Sequence, residues 1–248
     1  MELENFYILV YLKFDDFLNK MITSPYNLKL LFNQLQLDCL SYQEYELLYQ
    51  NSYSLEYDKY ETIQKQGQKI TQASLVYEGY TKICLLNGHD THTRALVPSM
   101  NFFNINWAIT NKYHQFTLIS ITDCKVIHFN VASIQEIIMG NGDFALRIMQ
   151  LNNKFDRTFF WQSNFSRLKK NMQGKFAAAL LFHLEKIFMA PSFNILLKRG
   201  ELAEMIGISR ENVIKVIGEL KKDGIIDVDG KNFKILDRGK LQFISENG

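Results

Sequence analysis

The stretch from Glu201 to Ile226, ELAEMIGISRENVIKVIGELKKDGII, confines the C-terminal third of this 248-residue chain to few architectures. Glu201 to Ile206 is the body of a short helix, and Gly207 breaks it. Val213, Val216, Ile217 and Leu220 then recur at steps of three, one and three, a stripe made for packing. The same helix nevertheless opens on Ser209, Arg210, Glu211 and Asn212, and Gly224 closes it. The following IIDVDGKNFKIL alternates about Asp229-Gly230, the pattern of a two-stranded hairpin. Upstream, KNMQGKFAAALLFHLEKIF predicts a helix on Ala177, Leu180, Leu181, Leu184 and Phe188, with Pro191 beyond its end. Helix, tight turn, helix and hairpin is the plan of a winged helix-turn-helix, whose second helix enters the DNA major groove with its first residues foremost.

That plan accounts for the polar opening, because the first turn must face base edges while later turns pack. The Ser209 hydroxyl caps the helix by accepting from a free backbone N–H, and the remaining free N–H groups favour a phosphate. Arg210 has the planar fork that meets guanine O6 and N7 together, and Glu211 accepts from cytosine N4. Lys215, five residues after Arg210, reaches a neighbouring base or phosphate. Lys221 and Lys222 complement the negative end of the helix dipole.

Charge is distributed to match. Residues 165–248 carry 15 Lys and Arg against 10 Asp and Glu, whereas residues 1–164 carry 13 against 16, so the basic end is the one with the helix-turn-helix. Hydrophobic residues make up 47% of the chain, enough for one large or two smaller cores. The longest apolar run near the N-terminus, Phe6 to Leu12, is seven residues and follows Glu2 and Glu4, so neither a membrane span nor an export signal is expected. Cys39, Cys84 and Cys124 are widely separated and read as reduced thiols of a cytoplasmic protein.

The rest of the chain divides into an extension over 1–25, helices over 26–50, short strands between 53 and 133, and a helix over 134–164. In the strand region SLVYEGYTKICLL runs into an Asn87-Gly88 turn, and FTLISI and KVIHFN form a pair about Thr122-Asp123-Cys124. Short strands at even spacing predict an antiparallel roll or barrel, and the whole chain is α+β. In the following helix Phe144, Ile148, Leu151, Phe155 and Phe159 step by three or four. One roll covers only part of a helix of that length, so this stripe is expected to pair two copies in a coiled-coil-like seam. Packing of the stripe within its own chain is the alternative.

On these residues the C-terminal segment resembles the DNA-binding signature of the Crp/Fnr family of bacterial transcription regulators. The resemblance extends more weakly through Gln66-Gly67-Gln68, Glu78-Gly79 and the strands to Phe129, similar in order and spacing to the family's cyclic-nucleotide-binding roll or jelly roll. It implies a roll effector domain over 26–133, a dimerisation helix over 134–164 and a winged helix-turn-helix over 165–248. It implies that Arg210 and Glu211 read bases with Lys215 assisting, that Arg199 holds phosphate, and that Lys231 on the wing adds a phosphate contact. Lys198 stands where the family usually has threonine. RNA polymerase is the implied partner of an activator, and a palindromic operator that of a homodimer.

The roll departs from the cAMP-binding pattern. Asn106 stands near the ribose-binding glutamate, and His114-Gln115 near the arginine pair that meets the cyclic phosphate. Without a permanent cation the phosphate charge would be buried uncompensated, so cAMP is not the expected effector. Three scattered cysteines do not make an iron-sulfur site. Haem is left open by His89, His92, His114 and His128, as is an unrecognised small molecule. No Ser/His/Asp set, HExxH, Walker loop or paired-carboxylate arrangement appears, so an enzyme is not expected. The rival reading is a ligand- or haem-binding sensor whose helix-turn-helix contacts protein.

Overall fold

The computed structural model describes residues 24–88, 90–103, 105, 112–164 and 171–248. The extension up to residue 23, His89 and Asn106 lie outside the described residues.

Among the described residues, two short helices come first, α1 (Pro25–Gln34) and α2 (Tyr42–Gln50). Ser24 caps α1, with Pro25 at the first helical position, where a missing N–H costs nothing. Ser41 and Glu44 close α2 with a reciprocal capping box.

Eight strands follow: β1 (Ser52–Tyr57), β2 (Thr62–Gln64), β3 (Gln72–Glu78), β4 (Tyr80–Asn87), β5 (Asp90–Pro98), β6 (Asn101–Phe103), β7 (Thr117–Ser120) and β8 (Cys124–Asn130). They make two antiparallel sheets, ordered β1-β8-β3-β6 and β2-β7-β4-β5. Alternation along β3 and β8 sorts side chains by face. Val76, Cys124 and Val126 meet Ile83, Val97 and Leu118 of the second sheet, while Ala73, Leu75, Ile127 and Phe129 face α1 and α2.

Three turn expectations need correcting. SLVYEGYTKICLL is two strands, because Gly79 (φ 93°) passes the chain from one sheet to the other. A Cβ there would collide with Asp123 O and the Cys124 side chain, so only glycine fits. Asn87 is the last residue of β4, paired with Asp90, and the turn starts at Gly88 (φ 63°). FTLISI and KVIHFN do supply strands, but β7 pairs with β4 and β2 while β8 pairs with β1 and β3. They are sequence neighbours in different sheets.

The helical segment after the roll is also broken. Helix α3 (Val131–Gly140) stops at Asn141, whose side chain caps the 22-residue α4 (Gly142–Ser163). The stripe offered as a dimer seam faces inward. Phe144 and Ile148 are 1% and 3% exposed in the cluster with α1 and α2, and Leu151 packs against that cluster. Phe155 and Phe159 lie on the inter-sheet cluster, with Phe155 5.5 Å from Phe103 edge to face. Phe144 and Ile148 are covered by their own chain, and Leu151, Phe155 and Phe159 are half-buried against it, because α4 lies along the roll.

The C-terminal unit comprises α5 (Met172–Phe182), extended by a π-helical turn His183–Ile187, then β9 (Ser192–Asn194), α6 (Arg199–Ile206), α7 (Arg210–Lys222), β10 (Ile226–Asp229), β11 (Asn232–Ile235) and α8 (Arg238–Asn247). The predicted hairpin is present, and β9 adds a third strand in the order β10-β11-β9. One core joins the whole unit, including Phe176, Leu180, Leu202, Ile206, Val213, Val216, Leu220 and Phe233. Leu96 and Ile121 of the roll belong to the same core, so the two units share a packed boundary. Two polar contacts lock it, Lys82 meeting Glu201 at 2.5 Å and the Thr93 N–H donating to Glu204 at 2.8 Å, while Gln162 fixes α4 to the roll through two 2.9 Å hydrogen bonds with the Leu96 backbone. Among the described residues no helix is long and apolar enough to cross a membrane.

Candidate nucleic-acid interface

Helix α6 ends at Gly207, whose left-handed backbone (φ 69°, ψ 44°) carries the chain into the next helix while its N–H still bonds Ala203 O at 2.8 Å. An L-residue pays about 1 kcal/mol in that conformation. Gly207→Ala should therefore lower the melting temperature of the C-terminal unit by a few degrees, as read by calorimetry. An unchanged melting temperature would show that this turn does not constrain the helix pair.

Two residues later Ser209 adopts an extended backbone and its hydroxyl accepts from the Asn212 N–H at 3.2 Å. From that cap α7 divides into two faces. Val213, Val216 and Leu220 are buried, and Ile217 packs beside them. Arg210, Glu211, Ile214, Lys215 and Gly218 are exposed on the other side, and Asn212 is half-buried between the faces. Glu211 is ionised, its carboxyl held below the usual range by a backbone N–H and by the Ser209 hydroxyl. Arg210, Glu211 and Lys215 thus project together from the first turns of a rigidly seated helix. Lys215 lies 3.9 Å from Glu219, a loose ion pair.

The wing side is more constrained than its sequence suggests. Arg199, the first residue of α6, stacks 4.9 Å over the Phe233 ring and donates through Nη2 to Gly230 O. Burial lowers its pKa, and its Nη1 is buried without a hydrogen-bond partner. Lys231, in the wing turn, donates to Leu196 O at 2.7 Å, which leaves two of its three N–H groups. Both cations therefore tie the wing to the segment that leads into α6. Lys198, the residue before α6, lies 4.8 Å over the Tyr60 ring of the roll. Lys221, at the far end of α7, pairs with Asp227 at 3.1 Å.

Sequence reasoning missed two members of the exposed face, Ile214 and Gly218. The available signal was spacing: they follow Arg210 at four and eight residues, outside the packing stripe.

The roll carries the other candidate residues. His128 is buried, with Nδ1 2.9 Å from Ser74 Oγ and Nε2 2.9 Å from the Tyr57 hydroxyl. Burial pushes its pKa down to about 4, so it is neutral and both ring nitrogens are engaged. His114 is half-buried, its pKa lowered by burial, with Nδ1 buried and unpartnered. Its neighbour Gln115 donates to the Tyr113 carbonyl at 2.8 Å. His92 is half-buried on β5. Among the described residues no three His, Cys, Asp or Glu side chains converge as a metal site. Phe103, Phe116, Phe155 and Phe159 make a continuous aromatic contact from the inter-sheet core to α4.

Comparison with known proteins agrees with this arrangement. Residues 174–244 match the family model of the Crp-like helix-turn-helix domain. Electron transport regulator A of Shewanella oneidensis is 28% identical over 83 residues, 32% of this chain, and the match spans only a third (33%) of that relative's length. In fold, the chain is similar to FixK2 from Bradyrhizobium japonicum (TM-score 0.69, 17% identity, 78% of this chain and 96% of that one). It is also similar to a CooA mutant from Carboxydothermus hydrogenoformans (TM-score 0.64, 17% identity, 79% and 88%). A CRP-family transcriptional regulator from Thermus thermophilus matches comparably (TM-score 0.64, 17% identity, 78% and 97%). Residues 174–244 thus form a Crp-like helix-turn-helix domain, and the chain as a whole has a fold similar to that of these structures.

Proposed function

We propose that this chain is a homodimeric, sequence-specific DNA-binding transcription regulator of the cytoplasm, with α7 as its reading helix. One observation carries the reading: α7 buries Val213, Val216 and Leu220 while its capped first turn stands free with Arg210 and Glu211 exposed. Residues 26–133 act as the effector roll, 134–164 as the dimerisation segment and 165–248 as the DNA-binding domain, with 1–25 an extension. Ser209, Arg210, Glu211, Asn212 and Lys215 line the major groove, and Arg199 and Lys231 support the flanking phosphates. RNA polymerase is the partner where the chain activates.

The dimer seam is assigned to the free face of α4. Leu146, Met149, Asn153, Asp156 and Phe160 step by three and four, the coiled-coil repeat, and all five are exposed, Met149 at 62% and Phe160 at 57%. The inward Phe144 stripe then anchors α4 to its own roll while this opposite face meets the second copy. Phe160→Ala should cost more than about 1 kcal/mol per subunit, as aromatic anchors do, and raise the dimer dissociation constant at least about thirtyfold. Sedimentation equilibrium measures this, and an undisturbed dimer would reject the seam.

The effector is not cAMP. His114, at the place of the phosphate-binding arginine, is kept neutral by burial, and the space beside α4 is occupied by Phe103, Phe155 and Phe159. A different small molecule, or none, fits better; haem is the candidate an absorption spectrum tests.

Selection of bound duplexes from a random pool, followed by affinity against salt, tests the whole reading. An enriched palindrome and a steep fall of affinity with salt are expected, because each neutralised phosphate releases counterions. A pool left unenriched by the dimer would refute it.

A further inference from the structure

Two residues on α7 are costly for the free protein and unexplained by its packing. Ile214 is 53% exposed, although an isoleucine loses apolar burial there and fills no core position. Gly218 lies mid-helix, where glycine is a poor helix former, and a Cβ built on it meets nothing within 4 Å. Neither close packing nor a left-handed backbone requires this glycine.

Both lie on the ridge that begins at Arg210, at successive steps of four, on the face that carries Glu211 and Lys215. A partner that fits this ridge has an apolar knob opposite Ile214 and a wall that comes close to the helix at Gly218. A DNA major groove supplies both, since the thymine C5-methyl is the apolar group on its floor and the sugar-phosphate strand is its wall. We infer that Ile214 is a specificity-determining residue that packs on a thymine methyl one turn along from the Arg210 contact, and that Gly218 admits the neighbouring strand. The inference rests on the DNA-reading role proposed for α7 and adds to it a base type that no polar residue of the helix selects.

The test uses the full-length protein and the duplex it selects from a random pool, with thymines replaced one at a time by deoxyuridine. That change removes a methyl and keeps base pairing. Wild type is expected to lose about fourfold in affinity at one thymine per half-site, the worth of one buried methyl group. Ile214→Ala should bind the thymine and uridine duplexes alike at that position, while keeping the preference set by Arg210. Gly218→Ala should raise the melting temperature of the free protein and weaken the selected duplex, opposite signs that a purely structural glycine would not produce. The thymine contact is overturned if wild type is indifferent to uridine everywhere, or if Ile214→Ala retains the full penalty. A pool from which no sequence is enriched overturns the DNA-reading role itself and this contact with it, an outcome distinct from enrichment without uridine sensitivity.

Discussion

Lowering the pH from 7 to 5 is expected to cost the chain about 4 kcal/mol of folding stability, roughly half from His128 and half from His183. Both are buried, and burial pushes each pKa down to about 4 from an ordinary 6.5. His128 lies between Ser74 and Tyr57 hydroxyls and the Tyr53 ring, with no carboxylate among these contacts to welcome a proton. His183 is stacked on Phe188, its Nδ1 2.7 Å from Ala179 O and its Nε2 unpartnered.

Between pH 6.5 and 4 the unfolded chain binds these protons and the folded chain does not. Stability is therefore fully present above 6.5 and is lost as pH falls, by about 3 kcal/mol per histidine once pH 4 is reached. His114, also lowered by burial, adds in the same direction. Glu201 behaves differently: burial raises its pKa, but the bonds from Lys82 and the Lys198 N–H outweigh it, so its contribution is lost only below the ordinary carboxylate range near 4.5. The interval from 6.5 to 5 is thus where the histidines act, opposed by Asp156, whose pKa burial raises. Urea titrations at pH 7, 6 and 5 measure the slope, and His128→Gln and His183→Gln should each flatten it. Equal stability at pH 7 and 5, or an unaltered slope in both variants, would contradict the assignment.

Arg210→Ala should remove discrimination at one base pair in each half-site, about 1 to 3 kcal/mol per contact and twice that for a symmetric dimer. The physical reason is rigidity. Arg210 follows a cap satisfied by Ser209 and precedes Val213 in the core, so its backbone cannot move to find another partner. Competition between the selected duplex and variants changed at each position separates this from a phosphate contact. Lys231→Ala, by contrast, should weaken all duplexes together, and it should also release the wing from Leu196 O. Equal losses for Arg210→Ala on selected and random duplexes would remove it from the base-reading set.

Much of the C-terminal unit was legible because its instructions are local. Gly207 needs a left-handed backbone, Ser209 caps the next turn, and Gly230, one residue past the end of β10, turns the hairpin, all decided within a few residues. The strand β9 was missed because Ser192–Asn194 is three residues long and becomes a strand only by pairing with β11. The covering of the α4 stripe was not legible for a related reason. An apolar stripe states that something covers it, and the roll of the same chain is as good a cover as a second copy.

The amino-acid order by itself determined the helix-turn-helix, its polar tip, the strand-rich middle and the family resemblance, since caps, glycines and hydrophobic periods act over a turn or two. Tertiary structure alone decided that β7 and β8 part into separate sheets, that Phe144 to Phe159 face inward, and that Arg199 and Lys231 hold the wing. It also left Ile214 standing in solvent beside Arg210. Those outcomes depend on which surfaces meet across long stretches of chain, and burial there is a property of the partner surface as much as of the residue.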